Sequence, residues 1–272
     1  MTKANKPLGE AEIVSMDAVV DYLQCPRRFE LIHKSEDPIP PMSLGTRARR
    51  SQQFQEALHS LLVFFLFRSM SGQVVPLATL LARWGRAFLK DYDNVRDVMH
   101  ESHEVSSQHL NLASLNTIGV NVITDFHEEY IRKGYKVMEI MRNGILILPS
   151  ARRVKAEIHY VRSAKRRGPE VVYLYTGLQK PSLRLYTWPL LASGLLYEQE
   201  YGVRPQAVLS CPAVQPSGKE YKLEWREGLI GDLDDILSMV YASPKYLPDY
   251  AGSCIGCPAG EVCGLYGWRG LY

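Results

Sequence analysis

Apolar residues recur at helical spacing through the first half of the chain. Residues 15–34 predict a capped helix that a proline interrupts directly after Cys25. A second helical pattern covers residues 46–70, and mostly helical patterning resumes after residue 76. Because no strand-like run occurs before about residue 135, we expect residues 46–134 to form a helical lobe.

The hydrophobic period shortens after residue 135. Short runs rich in β-branched and aromatic residues predict a strand meander, with "RNG", "ARR" and "AKRRGP" between its strands. Pro189 and Gly202 bound a predicted helix, with the proline in its first turn. Two further strands and a last helix follow, so the chain is expected to form one α/β domain over residues 1–272 with its sheet core at 135–225. The meander runs are "YKVMEIM", "GILILPS", "VKAEIHYVRS" and "EVVYLYTG".

Composition narrows the class of protein. The 272 residues are 46% hydrophobic, enough for a large core, and the formal net charge of +3 is mild. The N-terminal stretch lacks the apolar run of a signal peptide, and the longest apolar run, residues 61–67, is shorter than the ~20 residues of a membrane span. We therefore expect a soluble cytoplasmic protein with no membrane partner; whether it is nucleoid-associated or encoded by a virus stays open.

Four of the five cysteines are spaced for one metal centre. The segment 250–272 carries Cys254, Cys257 and Cys263 as C-x2-C-x5-C, and Cys25 lies far upstream in "DYLQCPRRFEL". In a reducing compartment such clusters bind metal more often than they form disulfides. Four thiolates suit a 4Fe-4S cluster or a tetrahedral zinc; three local cysteines and one remote one favour the cluster and leave zinc open. Cys211, in a strand pattern, is expected to be a small buried apolar residue.

The sequence Cys-Pro-Arg-Arg-Phe on the first helix, together with the terminal C-x2-C-x5-C, resembles the iron–sulfur branch of the PD-(D/E)XK nucleases. This branch includes the CRISPR-associated RecB-like exonucleases and the nuclease domain of AddB. The order of elements is similar across nearly the whole chain. The resemblance implies a restriction-endonuclease-like central mixed sheet flanked by helices, with an inserted helical lobe. It also implies that the cluster joins the N- and C-terminal ends as a structural pin, not as the reactive centre.

The resemblance places the family's catalytic positions on residues without the required chemistry. The family holds divalent cations on carboxylates and uses a lysine to assist the attacking water. Its histidine falls on Arg49, with His59 as a substitute in another register, and its strand aspartate falls on His159. The acid and the lysine of the next strand, and the glutamine and tyrosine of the following helix, fall on Tyr173, Tyr175, Pro189 and Ser193.

These losses imply a catalytically degenerate domain with no catalytic magnesium, in which Tyr173 and Tyr175 are packing residues. The remaining acids are Glu157 and Glu170, and strand alternation puts Glu157 and His159 on one face. The alternative is therefore an active metal-dependent DNA exonuclease with relocated ligands. A carboxylate pair with a lysine, converging in the cleft between strands and helix, would favour that enzyme.

Basic residues form several clusters that suit phosphate backbones. We expect DNA as a partner, although any single cluster is also typical of solvated surface. A helicase, polymerase or nuclease that docks on the domain is the other partner class; DNA versus RNA and the oligomeric state stay open. The clusters are Arg47, Arg49 and Arg50; Arg152, Arg153 and Lys155; Arg162, Lys165, Arg166 and Arg167; and Arg27 and Arg28.

Overall fold

The structure is a computed structural model that describes residues 13–34, 46–90, 112–163, 168–214 and 220–242, without the side chains of 46–50 and 89–90. The first half of the described chain is helical and the second half carries the sheet. The first half contains β1 (Val14–Ser15), α1 (Met16–Gln24), α2 (Pro26–Phe29) with a π-helical turn at Glu30–Lys34, α3 (Thr46–Met70), α4 (Leu77–Lys90) and α5 (Leu112–Lys133). The second contains β2 (Lys136–Ile147), β3 (Arg153–Ser163), β4 (Pro169–Leu174), α6 (Leu183–Tyr201), β5 (Gln206–Ser210), β6 (Glu220–Lys222) and α7 (Leu229–Ala242).

The described strands form one mixed six-stranded sheet. Strands β2, β3 and β4 are an antiparallel meander, β5 is parallel to β4, and β6 is antiparallel to β5. A parallel pair needs a crossover connection, and α6 supplies it between β4 and β5. The short β1 runs parallel to the start of β3. The predicted α/β class with a mixed sheet between helices is therefore confirmed.

Helices cover the sheet on both faces. On one face α1, α6 and α7 bury residues such as Val19, Leu191 and Leu237 against the sheet. On the other, α3, α4 and α5 form a second core that also contains the strand residues Tyr160 and Val172. The predicted helical lobe thus packs directly on the sheet. Among the described residues, no helix combines the length and apolarity that crossing a membrane needs.

Two local expectations are wrong. The segment "RNG" is not a turn, because β2 continues through Asn143 and Gly144. Glycine gives room for packing there: a Cβ on Gly144 would lie 2.8 Å from Leu196 Cδ1 of α6, which would then have to shift. The helix predicted to start at Pro189 begins at Leu183, so the proline lies inside it. Gly202 ends this helix with a left-handed φ of 67°, as expected.

Candidate functional site

The predicted site residues surround an opening along one edge of β3. β1 pairs with β3 at Val154 and Lys155, and β4 pairs with it from Tyr160 onward. Within the described part of the chain, residues 156–159 therefore have no ladder partner on this edge. Because β4 ends and α6 begins beside it, the opening is where side chains from several elements meet.

Aromatic side chains stand at the positions that the resemblance assigns to two catalytic acids and a lysine. The ring of His159 stacks on that of Tyr173, with centroids 4.0 Å apart and an interplanar angle of 30°. Tyr186 of α6 contacts both Tyr173, at 5.8 Å, and Tyr175, at 5.1 Å between centroids. We call His159, Tyr173, Tyr175 and Tyr186 the aromatic cluster. It brings together three sequence-predicted positions and one residue, Tyr186, that sequence reasoning missed.

Burial and hydrogen bonding determine the charge and the tautomer of the His159 ring. Its Nδ1 accepts a hydrogen bond from the backbone N–H of Leu174 at 3.1 Å. Burial, and then the neighbouring His59, lower the pKa of His159 to about 4, so the ring is neutral at pH 7. A neutral imidazole whose Nδ1 accepts must carry its proton on Nε2. Neither nitrogen then offers a lone pair to a cation, which argues against a metal site built on Glu157 and His159.

His59 joins the helical lobe to this region. It lies on α3, and its ring meets that of His159 edge to face at 5.6 Å between centroids. Burial lowers the pKa of His59 as well. A second contact with α3 is the hydrogen bond that Thr176 Oγ1 donates to the backbone carbonyl of Gln55 at 3.2 Å. The residue proposed as a substitute histidine thus lies beside His159.

Ser193 and Pro189 have structural contacts in α6. The Ser193 hydroxyl lies 2.7 Å from the Pro189 carbonyl and 2.5 Å from the Glu157 carbonyl, and its single proton is donated to one of them at a time. The Ser193 side chain is buried. It therefore connects α6 with β3 at the strand segment that carries Glu157 and His159.

A cleft next to the aromatic cluster brings two carboxylates and a lysine together. Asp17 comes from the first turn of α1, and Lys155 and Glu157 alternate along β3. The cleft contains about 450 Å³ of empty space that is open to solvent. Its other lining residues are Ser15, Met16, Asn143, Ala156, Tyr173 and Pro189. We call it the Asp17–Glu157 cleft.

Glu157 is electrostatically strained in this cleft. Burial, and then the charge of Asp17, raise the pKa of its carboxyl, while Lys155 partly offsets them. Two close carboxylates favour sharing a proton or binding a cation. Sequence reasoning missed Asp17, because an acid after the cap residue Ser15 is a common helix-start residue and carries no other signal.

Glu170, the other remaining acid, lies outside this region. Its carboxylate accepts a hydrogen bond from Arg162 Nε at 2.8 Å, and both side chains are only 4% exposed. Arg162 also binds Glu220 at 2.7 Å and stacks 3.9 Å above the Tyr135 ring. Arg162, grouped by sequence with the hairpin-tip basic residues, is therefore buried and fully engaged within the fold.

The other predicted phosphate-binding residues are only partly described. Arg152 forms an ion pair with Asp234 of α7 at 3.0 Å, whereas Arg153 is exposed at the start of β3. Arg47, Arg49 and Arg50 lie in the first turn of α3, but their side chains are outside the description. Lys165, Arg166 and Arg167 lie outside the described residues altogether.

The described cysteines are both buried and unpaired by disulfide. Cys25 is the extended residue between α1 and α2, and Cys211 packs in the core directly after β5. Burial, and then the charge of Glu220, raise the pKa of Cys211 to about 12, as fits a small core residue. Cys254, Cys257 and Cys263 lie outside the described residues. Among the residues that are described, no three His, Cys, Asp or Glu side chains form a group able to hold a metal ion.

Comparison with known proteins adds no relative from which function could be transferred. No protein-family model matches the chain, and a search of curated proteins finds no significant similarity.

Proposed function

We propose that this protein is an iron–sulfur PD-(D/E)XK-type domain that binds nucleic acid and does not cut it at the family's catalytic positions. The helical lobe, the strand meander β2–β3–β4, the helix α6 and the later strands follow one another in the order that the resemblance implies, which supports the proposal. The observation that carries the proposal is the aromatic cluster, because three of its residues stand at the positions that the resemblance assigns to the catalytic acids and lysine.

The chemistry of the cluster supports loss of cleavage. Burial, and then the charge of Asp17, raise the pKa of Tyr173 above its usual range, so its phenol stays neutral. Burial also raises the pKa of Tyr175. Magnesium requires hard oxygen ligands in octahedral geometry, and neutral phenols with a neutral histidine are poor ligands for it.

Cys25, Cys254, Cys257 and Cys263 are the proposed cluster ligands. Of the four, Cys25 fits such a role because it is buried at the break between α1 and α2, where its carbonyl accepts a hydrogen bond from the backbone N–H of Phe29. A 4Fe-4S cluster, or zinc in its place, would stabilise the ends of the chain, since binding energy at a site absent from the unfolded chain is folding energy.

A second candidate is metal-dependent phosphodiester cleavage from the Asp17–Glu157 cleft. It is favoured by the convergence of Asp17, Glu157 and Lys155 in one opening. Two carboxylates are a common magnesium ligand set, and a lysine next to them can stabilise developing charge. This enzyme would use ligands shifted away from the family's positions.

A cleavage assay separates the two candidates. Anaerobically purified protein is incubated with end-labelled single-stranded and duplex DNA in magnesium or manganese, beside Asp17→Asn, Glu157→Gln and the exposed control Asp235→Asn. The first candidate predicts that the DNA stays intact. It also predicts DNA binding, measured by fluorescence anisotropy, that weakens when Arg47, Arg49 and Arg50 are all changed to Ala. Cleavage lost in Asp17→Asn and Glu157→Gln, and kept in the control, would replace it by the second.

A further inference from the structure

The helical hairpin of α3 and α4 has a strongly asymmetric charge. Residues 57–90 contain no Asp or Glu, yet they contain Arg68, Arg83, Arg86 and Lys90. The three arginines are exposed on the surface of the hairpin. Charge of one sign concentrated on one surface attracts a polyanion and gives phosphate-backbone binding its salt dependence.

Carboxylate pairing separates these arginines from those of the sheet region. Arg142, Arg152 and Arg204 each bind at least one carboxylate. In contrast, among the described residues no carboxylate lies within ion-pair distance of Arg68, Arg83 or Arg86. The contacts that are found are uncharged: Arg68 donates to the Gln73 side chain and Arg86 to the Ala82 carbonyl.

An aromatic pair lies within the same surface. The guanidinium carbon of Arg83 is 4.0 Å from the ring centroid of Phe64, and that of Arg68 is 5.6 Å from the same centroid. Two cations on one ring repel each other, so a bound anion would stabilise the arrangement. Phe67, at i+3 from Phe64 and therefore its neighbour on the helix, is 53% exposed.

We propose that Phe64, Phe67, Arg68, Arg83 and Arg86, the lobe patch, bind single-stranded nucleic acid. The arginines would contact phosphates and Phe67 would stack on a base, the combination that single-strand binding surfaces use. Stacked guanidinium groups keep their N–H edges free for phosphate oxygens. This inference extends the proposed nucleic-acid binding to a second surface and rests on that function.

The test measures binding of a fluorescein-labelled oligothymidylate of about 20 nucleotides, longer than the site of one small domain. Arg83→Gln with Arg86→Gln should lower affinity roughly tenfold and reduce the slope of log K against log salt by about 1.4, from two lost contacts to a single strand. The matched control, Arg132→Gln with Arg226→Gln, removes the same net charge from exposed positions elsewhere and should leave both values unchanged. Circular dichroism melting checks that each variant is folded.

Phe67→Ala tests the stacking contact. This variant should bind the single strand roughly tenfold more weakly, and its affinity for a duplex of equal length should not change. Equal losses in the two arginine variants would show a net-charge effect and overturn the lobe patch. If both the arginine variant and Phe67→Ala bind the oligonucleotide as tightly as the wild-type protein, the lobe patch is also overturned. The proposed nucleic-acid function would then stand. Binding to anionic phosphatidylserine vesicles with no oligonucleotide binding would overturn both.

Discussion

Charged residues at the two ends of β3 lie in different environments. Near its end, Arg162 is enclosed with Glu170 and Glu220, and its guanidinium donates to both carboxylates. Near its start, Lys155 and Glu157 border the open Asp17–Glu157 cleft, where burial and a second carboxylate raise the pKa of Glu157. Because Lys222 Nζ also lies 3.9 Å from Glu170, the first group has two cations for its two carboxylates. The second has only Lys155 for Asp17 and Glu157, and so has an excess of negative charge. An excess that the fold leaves uncompensated is typical of a binding site.

The largest expected effect comes from breaking the enclosed group. Arg162→Met removes the guanidinium that neutralises Glu170 and Glu220 and leaves Glu170 only Lys222 at 3.9 Å, so the free energy of unfolding should fall by about 3–5 kcal/mol. Urea unfolding followed by circular dichroism measures it. The control Arg204→Met removes an exposed partner of Glu198 and should cost no more than about 1 kcal/mol. Similar losses of unfolding free energy in the two variants would mean that the enclosed group contributes no more stability than an exposed ion pair.

His159, between the two ends, should make stability sensitive to acid. Its folded pKa of about 4 lies below the ordinary value of 6.5, so the unfolded chain takes up the proton first. Stability should therefore fall as the pH drops from about 6.5 to about 4, by roughly 3 kcal/mol in total, and level off below. His159→Gln keeps an acceptor for Leu174 and removes this titration. Unfolding curves at pH 7.5 and pH 4.5 that shift equally in both proteins would contradict the assignment.

The tie between α6 and the cleft strand is expected to be weaker. Ser193→Ala removes the hydroxyl that lies between the carbonyls of Glu157 and Pro189 and should cost about 1–2 kcal/mol. The matched control is Ser238→Ala, which removes a hydroxyl that donates to the Asp234 carbonyl of its own helix α7 and should cost about 0.5 kcal/mol or less. Thermal melting compares the two, and a smaller loss for Ser193→Ala would mean that the contact contributes little.

The smallest effect, and the only gain, is expected at the open end. The raised pKa of Glu157 means that ionising it costs stability as the pH rises through that pKa. Glu157→Gln should therefore stabilise the protein by about 0.5 kcal/mol at pH 7.5, and the gain should shrink near pH 4. A loss of stability at pH 7.5 would indicate that the carboxylate is compensated and that the two ends of β3 do not differ.

Local patterns predicted the elements better than they predicted their limits. The helix cap at Ser15, the break at Pro26 and the left-handed Gly202 follow from preferences within a few residues. The prediction of a turn at Asn143–Gly144 is wrong because glycine also occurs where another element packs closely on a strand. Gly144 lets Leu196 approach the sheet. Pro189 was misplaced because packing against the sheet kept the helix continuous through it.

The sequence by itself determined the α/β class, the helical lobe followed by the strands, the rings of His159, Tyr173 and Tyr175 on two consecutive strands, and the acid-free stretch 57–90. These depend on periodicity and residue type, which each segment carries alone. Only the tertiary structure decided that Asp17 lines one cleft with Glu157 and Lys155, that Arg162 is buried between two carboxylates, and that Arg68 and Arg83 share one ring. Such contacts join residues from different elements, and the free energy that selects them is that of packing and charge burial in the whole fold.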